Sequence, residues 1–412
     1  MRLLIIGTHP SQTTGYSRVV YNIAKQLDNF KNIKCTIFGI QKFFDVNDDF
    51  RLDLPDNVSL WDVYNYDNDD FGFGTKSLSS FILINDPDVI MIYNDSEVIK
   101  KYIMNIKLTQ EHYQYKNMFK NKKIKIVAYL DQVHTNQNFD TIKYISENTD
   151  HIFCFTNLWK NNYLSYLKNI NKDSLTYNEN KCSIVRHGIN YIDLQESIDE
   201  CKNLLGFNRE HFIFLNLNRY AIKKRLDISI IAFVKFLKKT NTKKAFLYLP
   251  AITEPDKVDI LKNIYKYELL YNNITGCDNN LVIGSQHLSD KTINMIYKAC
   301  DVGLNSCDGE GFGLCNYEHA SFGKPQILSK LGGLLDYFND SNSLLCEPKY
   351  VSYSLNNERS NVIDPNDMAE YMVKYFVEKS FYNKHSDKLK EIPSKYIWKN
   401  EINNMMNVLL KL

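Results

Sequence analysis

No stretch of the sequence reaches the about 18 consecutive apolar residues that a membrane span needs. The opening run through Gly7 is too short for a secretory signal and leads straight into a polar loop. Cysteine is sparse and solitary: nine are scattered between Cys35 and Cys346, with no C-x-x-C pair and an odd total. That pattern argues against a disulfide framework or a zinc site and for a reducing compartment. Neither sign of charge prevails, with 50 Lys and Arg against 48 Asp and Glu and a formal charge of +2. A bulk nucleic-acid binder is excluded on that balance, so any anion must be recognised locally. Internal repeats and low-complexity blocks are also missing, and the Asn and Asp clusters at 45–49, 67–70 and 171–180 read as loops. The expectation is a soluble, cytoplasmic protein without a membrane span. Its densest basic patch, Lys116, Lys120, Lys122, Lys123 and Lys125, reads as a solvated face that leaves room for peripheral contact with anionic lipid or an anionic acceptor.

What is present is length, apolar content and a rhythm. At 412 residues and 44% apolar the chain exceeds one ordinary domain. Short apolar runs alternate with helix-length segments, the pattern of parallel sheets with crossover helices. Strands are predicted near 3–7, 35–40, 89–93, 124–130, 152–155 and 183–186. The rhythm restarts near 212–217, 245–249, 281–284, 301–305, 326–329 and 344–346. The fold class is therefore α/β, with two doubly wound, Rossmann-like parallel sheets in tandem and ligands expected at the carboxyl ends of the strands. The predicted division is 1–195, 196–385 and a last segment, 386–412, in which Tyr396, Trp398, Ile402, Met405, Met406 and Leu409 recur at near-helical spacing.

The densest chemistry lies at 308–325. Glu310 and Glu318 flank seven residues at a glycine turn that becomes a helix. Gly311 and Gly313 allow the backbone to approach a ligand closely, and the free amides and dipole of the first helical turn favour an anion. The helix is predicted over 314–322, with Gly323 as its cap and Pro325 as a stop signal. Glu318 stands one turn past Leu314, so both carboxylates are expected on one cleft.

This segment resembles the two-glutamate signature of retaining glycosyltransferases of family four, which have the GT-B fold with a cleft between two domains. The resemblance implies that Glu310 lies at the donor sugar and its phosphate. It further implies that Gly311, Phe312, Gly313 and Leu314 offer backbone amides, and that Glu318 accepts from the ribose hydroxyls. It also implies a last helix that crosses back to the first domain.

Further segments extend the resemblance over nearly the whole chain. The loop after Gly7 runs to Gly15 and a helix over 19–27; without a G-x-G-x-x-G it is no dinucleotide fingerprint, and in the family it closes over the donor phosphate. The run from Asn216 to Asp227 is similar to the family's G-R-x4-K-G-x-D, with Asn218 and Arg225 where glycines are usual. Arg219 and Lys224 keep the spacing of two cations that stabilise the departing diphosphate. Which of Lys223, Lys224 and Arg225 points inward is open at this level. His134, just past a strand, matches a family histidine near the transferred sugar, with Asp131 competing for the place. His187 stands where the domain-junction segment usually has asparagine, and Gly332 and Gly333 match a glycine pair on the phosphate side. Gly284, Gln286 and His287 fall where the family holds the nucleotide base.

The implied reaction is transfer of a hexosyl unit from a nucleotide sugar to a hydroxyl of a glycan or glycoprotein, with retention through front-face attack. Catalysis then rests on orientation and on charge stabilisation at the diphosphate. The proposed catalytic set is Glu310, His134, Arg219 and Lys224. No metal or other cofactor is expected. The D-x-D matches at Asp67 and Asp69 and at Asp86 and Asp88 are discounted as chance among 48 acids. The chain is also similar to glycosyltransferases of large algal DNA viruses, which leans the donor to GDP-mannose over UDP-glucose. A catalytically silent sugar-nucleotide subunit and an epimerase or phosphorylase of the same fold are the competing classes.

Overall fold

The computed structural model describes residues 1–42, 50–66, 70–111, 123–170, 179–191, 194–284, 288–353 and 359–412. The chain forms two compact units, Met1–Gly188 with Ile397–Leu412, and Ile189–Tyr396.

In the first unit seven strands form one parallel sheet: β1 (Arg2–Thr8), β2 (Lys34–Ile40), β3 (Val58–Asp62), β4 (Val89–Asp95), β5 (Lys125–Asp131), β6 (His151–Cys154) and β7 (Cys182–Ile184). Their order is β3-β2-β1-β4-β5-β6-β7. β1 is buried on both faces, with Leu3 to Ile6 at most 2% exposed, which is why its sequence is a continuous apolar run rather than an alternation. β3 was not expected from the sequence. It is an edge strand whose Ser59 and Trp61 keep partial exposure, so it carries no apolar run to read.

The second unit repeats the plan with six strands: β8 (Phe212–Leu215), β9 (Ala245–Leu249), β10 (Leu281–Ile283), β11 (Val302–Asn305), β12 (Gln326–Ser329) and β13 (Leu344–Cys346), in the order β10-β9-β8-β11-β12-β13. An antiparallel hairpin, β14 (Pro348–Tyr353) and β15 (Arg359–Ile363), lies outside that sheet. The hairpin also went unread, because β14 is exposed along nearly its whole length. Helices Leu226–Thr240 and Pro365–Val377 pack on each other, with Phe214, Phe233, Phe236 and Phe376 meeting at ring separations of 5.1 to 6.2 Å. Every predicted strand is present, and the α/β class with two Rossmann-like parallel sheets holds.

In both sheets the strand order reverses once, between β1 and β4 and between β8 and β11. Such reversal points open a crevice at the carboxyl ends of the strands, where loops on either side can converge on a ligand.

The last segment is not one helix. It comprises Ile392–Lys395, in the second unit, and Trp398–Leu409, in the first, where it packs on helix Gly15–Gln26. Glu401 accepts from the Arg186 amide at 2.9 Å. Among the described residues no helix is long and apolar enough to cross a membrane.

Gly188 sits where a Cβ would meet the Trp398 backbone nitrogen at 2.5 Å and its Cα at 2.6 Å. Backbone atoms cannot rotate away, so Gly188→Ala is expected to destabilise the first unit by about 1–3 kcal/mol through overpacking. Urea unfolding monitored by tryptophan fluorescence checks this, and unchanged stability contradicts the close approach.

Candidate functional site

The two loops that flank the reversal point of the second sheet are tied by a buried charge pair. After β8 the chain forms a short 3-10 turn, Ile222–Lys224, and Arg225 takes the left-handed conformation at φ 46° before helix Leu226–Thr240 begins. Lys224 Nζ meets Glu310 Oε2, from the loop after β11, at 2.6 Å. The same loops are joined through main-chain groups: the Asp308 amide donates to Lys223 O at 2.9 Å, and Ser306 Oγ to Arg225 O at 2.7 Å. Of the three candidate cations, Lys224 is thus the one turned to the acid. Arg225 forks onto Asp227 at 2.8 and 3.1 Å instead.

Burial alone would push the Glu310 carboxyl up, but the Lys224 ammonium and the Asn305 amide more than offset it and hold it below the usual carboxylate range. Burial likewise opposes the Lys224 charge and is outweighed by Glu310, which keeps the ammonium above the ordinary lysine value. Asn305 Nδ2 donates to the same Glu310 oxygen at 3.1 Å.

The turn that follows is shaped by glycines. Gly313 has φ 88° and opens helix Leu314–Ser321, which has no side-chain N-cap. The helix dipole at that start favours an anion, beside a fixed cation. Gly333 N donates to Glu310 O at 3.0 Å, and a Cβ on Gly333 would strike Gly311 O at 2.0 Å. The glycine pair after β12 thus supports the turn from behind by packing backbone on backbone. Phe312 is buried and stacks on Tyr317 at 4.5 Å.

Glu310 and Glu318 are held by different side chains: Lys224 and Asn305 for the first, Tyr297 for the second. Glu318 is 1% exposed and accepts from Tyr297 Oη at 2.9 Å. Asn218 is buried against Asn216, donating to its Oδ1 at 2.7 Å. Arg219 is exposed and makes no hydrogen bond or ion pair among the described residues. Gly284 donates to Leu249 O at 3.0 Å, and a Cβ there would meet Pro250 O at 2.8 Å. Gln286 and His287 lie outside the described residues, as do Lys116, Lys120, Lys122, Asp67 and Asp69.

Gly15 and His134 belong to the first unit. Thr14 and Ser17 form a capping box at the start of helix Gly15–Gln26. Arg51 Nη1 braces the preceding loop through Gln12 O at 3.2 Å and Ser17 Oγ at 3.3 Å. Nothing lies within 4 Å of a Cβ built on Gly15, so packing does not demand glycine there. His134 is buried just past β5, and the neighbouring Asp131 accepts from Tyr16 Oη. His187 is a core residue, enclosed by Phe155, Tyr129, Tyr93 and Trp398, and burial pulls its imidazole down to about 3. Asp86 and Asp88 face Arg2, and Lys125 faces Asp150 at 3.3 Å.

The sequence offered no reading of the polar side chains beneath the pair. Asn305, Asn316, Gln326 and His319 form a buried chain of hydrogen bonds leading away from Glu310. The one available signal was a polar residue at the end or start of otherwise apolar strands.

Lys224→Met leaves the Glu310 carboxylate buried without its cation, a loss of about 3 kcal/mol. Because the folded Glu310 carboxyl is depressed, its stabilisation is present above the unfolded value and disappears as pH falls through the folded one. The deficit of the variant against wild type is therefore largest near about pH 7 and shrinks toward about pH 4. Urea unfolding at both values checks this, and an equal deficit at both overturns the pairing.

Residues 197–376 match the family described as Glycosyl transferases group 1. No curated protein matches the sequence. Solved structures share the fold over the whole chain. HepE of Anabaena in complex with UDP-glucose is 12% identical at a TM-score of 0.70, with 100% of both chains covered. Sucrose-phosphate synthase of Thermosynechococcus elongatus is 13% identical at 0.71, covering 100% of this chain and 98% of that one. A glycosyltransferase of Rickettsia africae is 14% identical at 0.67, with 99% and 97% covered. The family match places a glycosyl transferases group 1 domain at residues 197–376, within the second unit, and the chain as a whole has the GT-B fold of those solved structures.

Proposed function

We propose that this chain moves a hexosyl unit from a nucleoside diphosphate sugar to a hydroxyl of a glycan or glycoprotein, with retention at the anomeric carbon. The observation that carries the reading is the Lys224–Glu310 pair beside an uncapped helix start at the sheet's reversal point. Negative charge grows on the diphosphate as the bond from C1 to the phosphate oxygen breaks. A pre-oriented ammonium and the positive end of the helix dipole stabilise that charge without reorganising. The acceptor oxygen forms its bond to C1 on the same face, and its proton passes to the leaving phosphate. Arg219, exposed and unengaged among the described residues, is the second cation for that phosphate.

Glu310 is held anionic and doubly engaged, which suits a hydrogen-bond acceptor that orients sugar hydroxyls and not a nucleophile or general base. Glu318 keeps the ribose role, with its carboxylate oriented by the hydrogen bond from Tyr297 Oη. His134 and Gly15 keep the sugar and phosphate roles that the resemblance implies, and Gly284, Gln286 and His287 the base. No metal or other cofactor is part of the scheme. For the donor, UDP-glucose gains support from the HepE complex, whereas GDP-mannose rests on the sequence resemblance alone.

Calorimetric titration with UDP, GDP, UDP-glucose and GDP-mannose, without added metal, is expected to show tight binding of one nucleotide series; binding of none overturns the proposal. Glu318→Ala should weaken that binding by about 1–3 kcal/mol through lost ribose hydrogen bonds, and unchanged affinity removes Glu318 from the ribose. Lys224→Ala should lower turnover more than donor affinity, and equal losses would make it a ground-state contact only.

A further inference from the structure

We propose that Asn305 is the positioning residue for Glu310, and that Asn316, Gln326 and His319 serve to fix the direction in which its amide donates. The inference rests on the reading of Glu310 as the acid at the donor sugar and adds the residues that aim it.

The direction of every bond follows from one group. The Cys300 carbonyl can only accept, so His319 Nε2, 3.4 Å away, carries the proton and Nδ1 is an acceptor. Burial pulls the His319 imidazole down to about 3, so the ring stays neutral and keeps this tautomer. Gln326 Nε2 therefore donates to His319 Nδ1 at 3.2 Å and to Lys324 O at 2.8 Å, which leaves Gln326 Oε1 as the acceptor for Asn316 Nδ2 at 3.0 Å. Asn316 then offers its Oδ1 to Asn305 Nδ2 at 2.8 Å. Asn305 Oδ1 accepts from the Cys307 amide at 3.0 Å, so its second N–H points at Glu310 Oε2 at 3.1 Å. A reversed Asn305 amide would set an oxygen against a carboxylate oxygen and orphan two partners.

All four side chains are at most 3% exposed. Buried polar groups are tolerated only when satisfied, and a satisfied chain specifies one arrangement. Its room is made by Gly303, opposite Gln326 in the register of β11 and β12, where a Cβ would strike Gln326 Oε1 at 2.1 Å. The chain runs from the β11 and β12 core to the ion pair, so the orientation of Glu310 is set by neutral groups as well as by Lys224.

Asn305→Asp tests this in the full-length protein, because it preserves shape while replacing a donor by a second carboxyl. With a donor that the wild type uses, kcat should fall about 10- to 100-fold near pH 8, with donor KM far less affected. The loss should narrow toward about pH 5, since the introduced carboxyl, raised by its neighbour Glu310, takes a proton and donates again. A pH-independent loss, or none, overturns the proposal. The difference in Tm from wild type should narrow over the same pH range, and this comparison decides the placement of Asn305 even if wild type transfers no sugar, a result that would fell the transferase reading alone. Gln326→Met, which removes an outer link, should lower kcat less than Asn305→Asp does and leave donor KM unchanged. A fall in Tm with kcat untouched would reduce the outer chain to packing.

Discussion

A buried ammonium and carboxylate at the reversal point of the second sheet dictate the course of the loops around them. Neither Lys224 nor Glu310 is tolerable in a low-dielectric setting without the other, and each sits on a different side of the crevice. The pair therefore joins the loop after β8 to the loop after β11. Main-chain bonds from Asp308 to Lys223 and from Ser306 to Arg225 repeat the connection without charge. The left-handed Arg225 is a local backbone cost of turning its loop toward that point, whereas Gly313 takes the same conformation without one.

The glycyl turn and its supports belong to the same constraint. The 310–313 backbone can approach the 332–333 backbone only because no Cβ intervenes, and that approach sets where the uncapped helix begins. A cation, a helix N-terminus and an ionised acceptor are thus pre-oriented by packing rather than by a ligand. That is the condition under which electrostatic stabilisation of a leaving group is most effective. The first unit solves a parallel problem differently: its loop after β1 is braced by Arg51 and a Thr14–Ser17 capping box, with no need for glycine at Gly15.

The parallel strands were legible because strands buried on both faces must be apolar throughout, as in Leu3 to Ile6 or β9. The edge strand β3 and the hairpin β14–β15 were not, since exposure removes that requirement and with it the signal. The terminal periodicity concealed a break at 396–397, because amphipathic spacing survives a change of direction between two short helices. At the site, the carboxylates and glycines stood out in sequence by spacing alone, but helical phase does not say which side chain holds each carboxylate. Tyr297, which takes Glu318, comes from another helix.

By itself the sequence determined the α/β class, the two tandem sheets and the glycine turn that opens helix Leu314–Ser321, because burial period and glycine placement are local properties of the chain. Which of Lys223, Lys224 and Arg225 pairs with Glu310 was decided by tertiary structure, and so were the burial of His187 and the proposed aiming of Glu310 through Asn305. In each case the deciding partner lies far along the chain, and burial makes the energy of a polar group depend on which neighbour satisfies it.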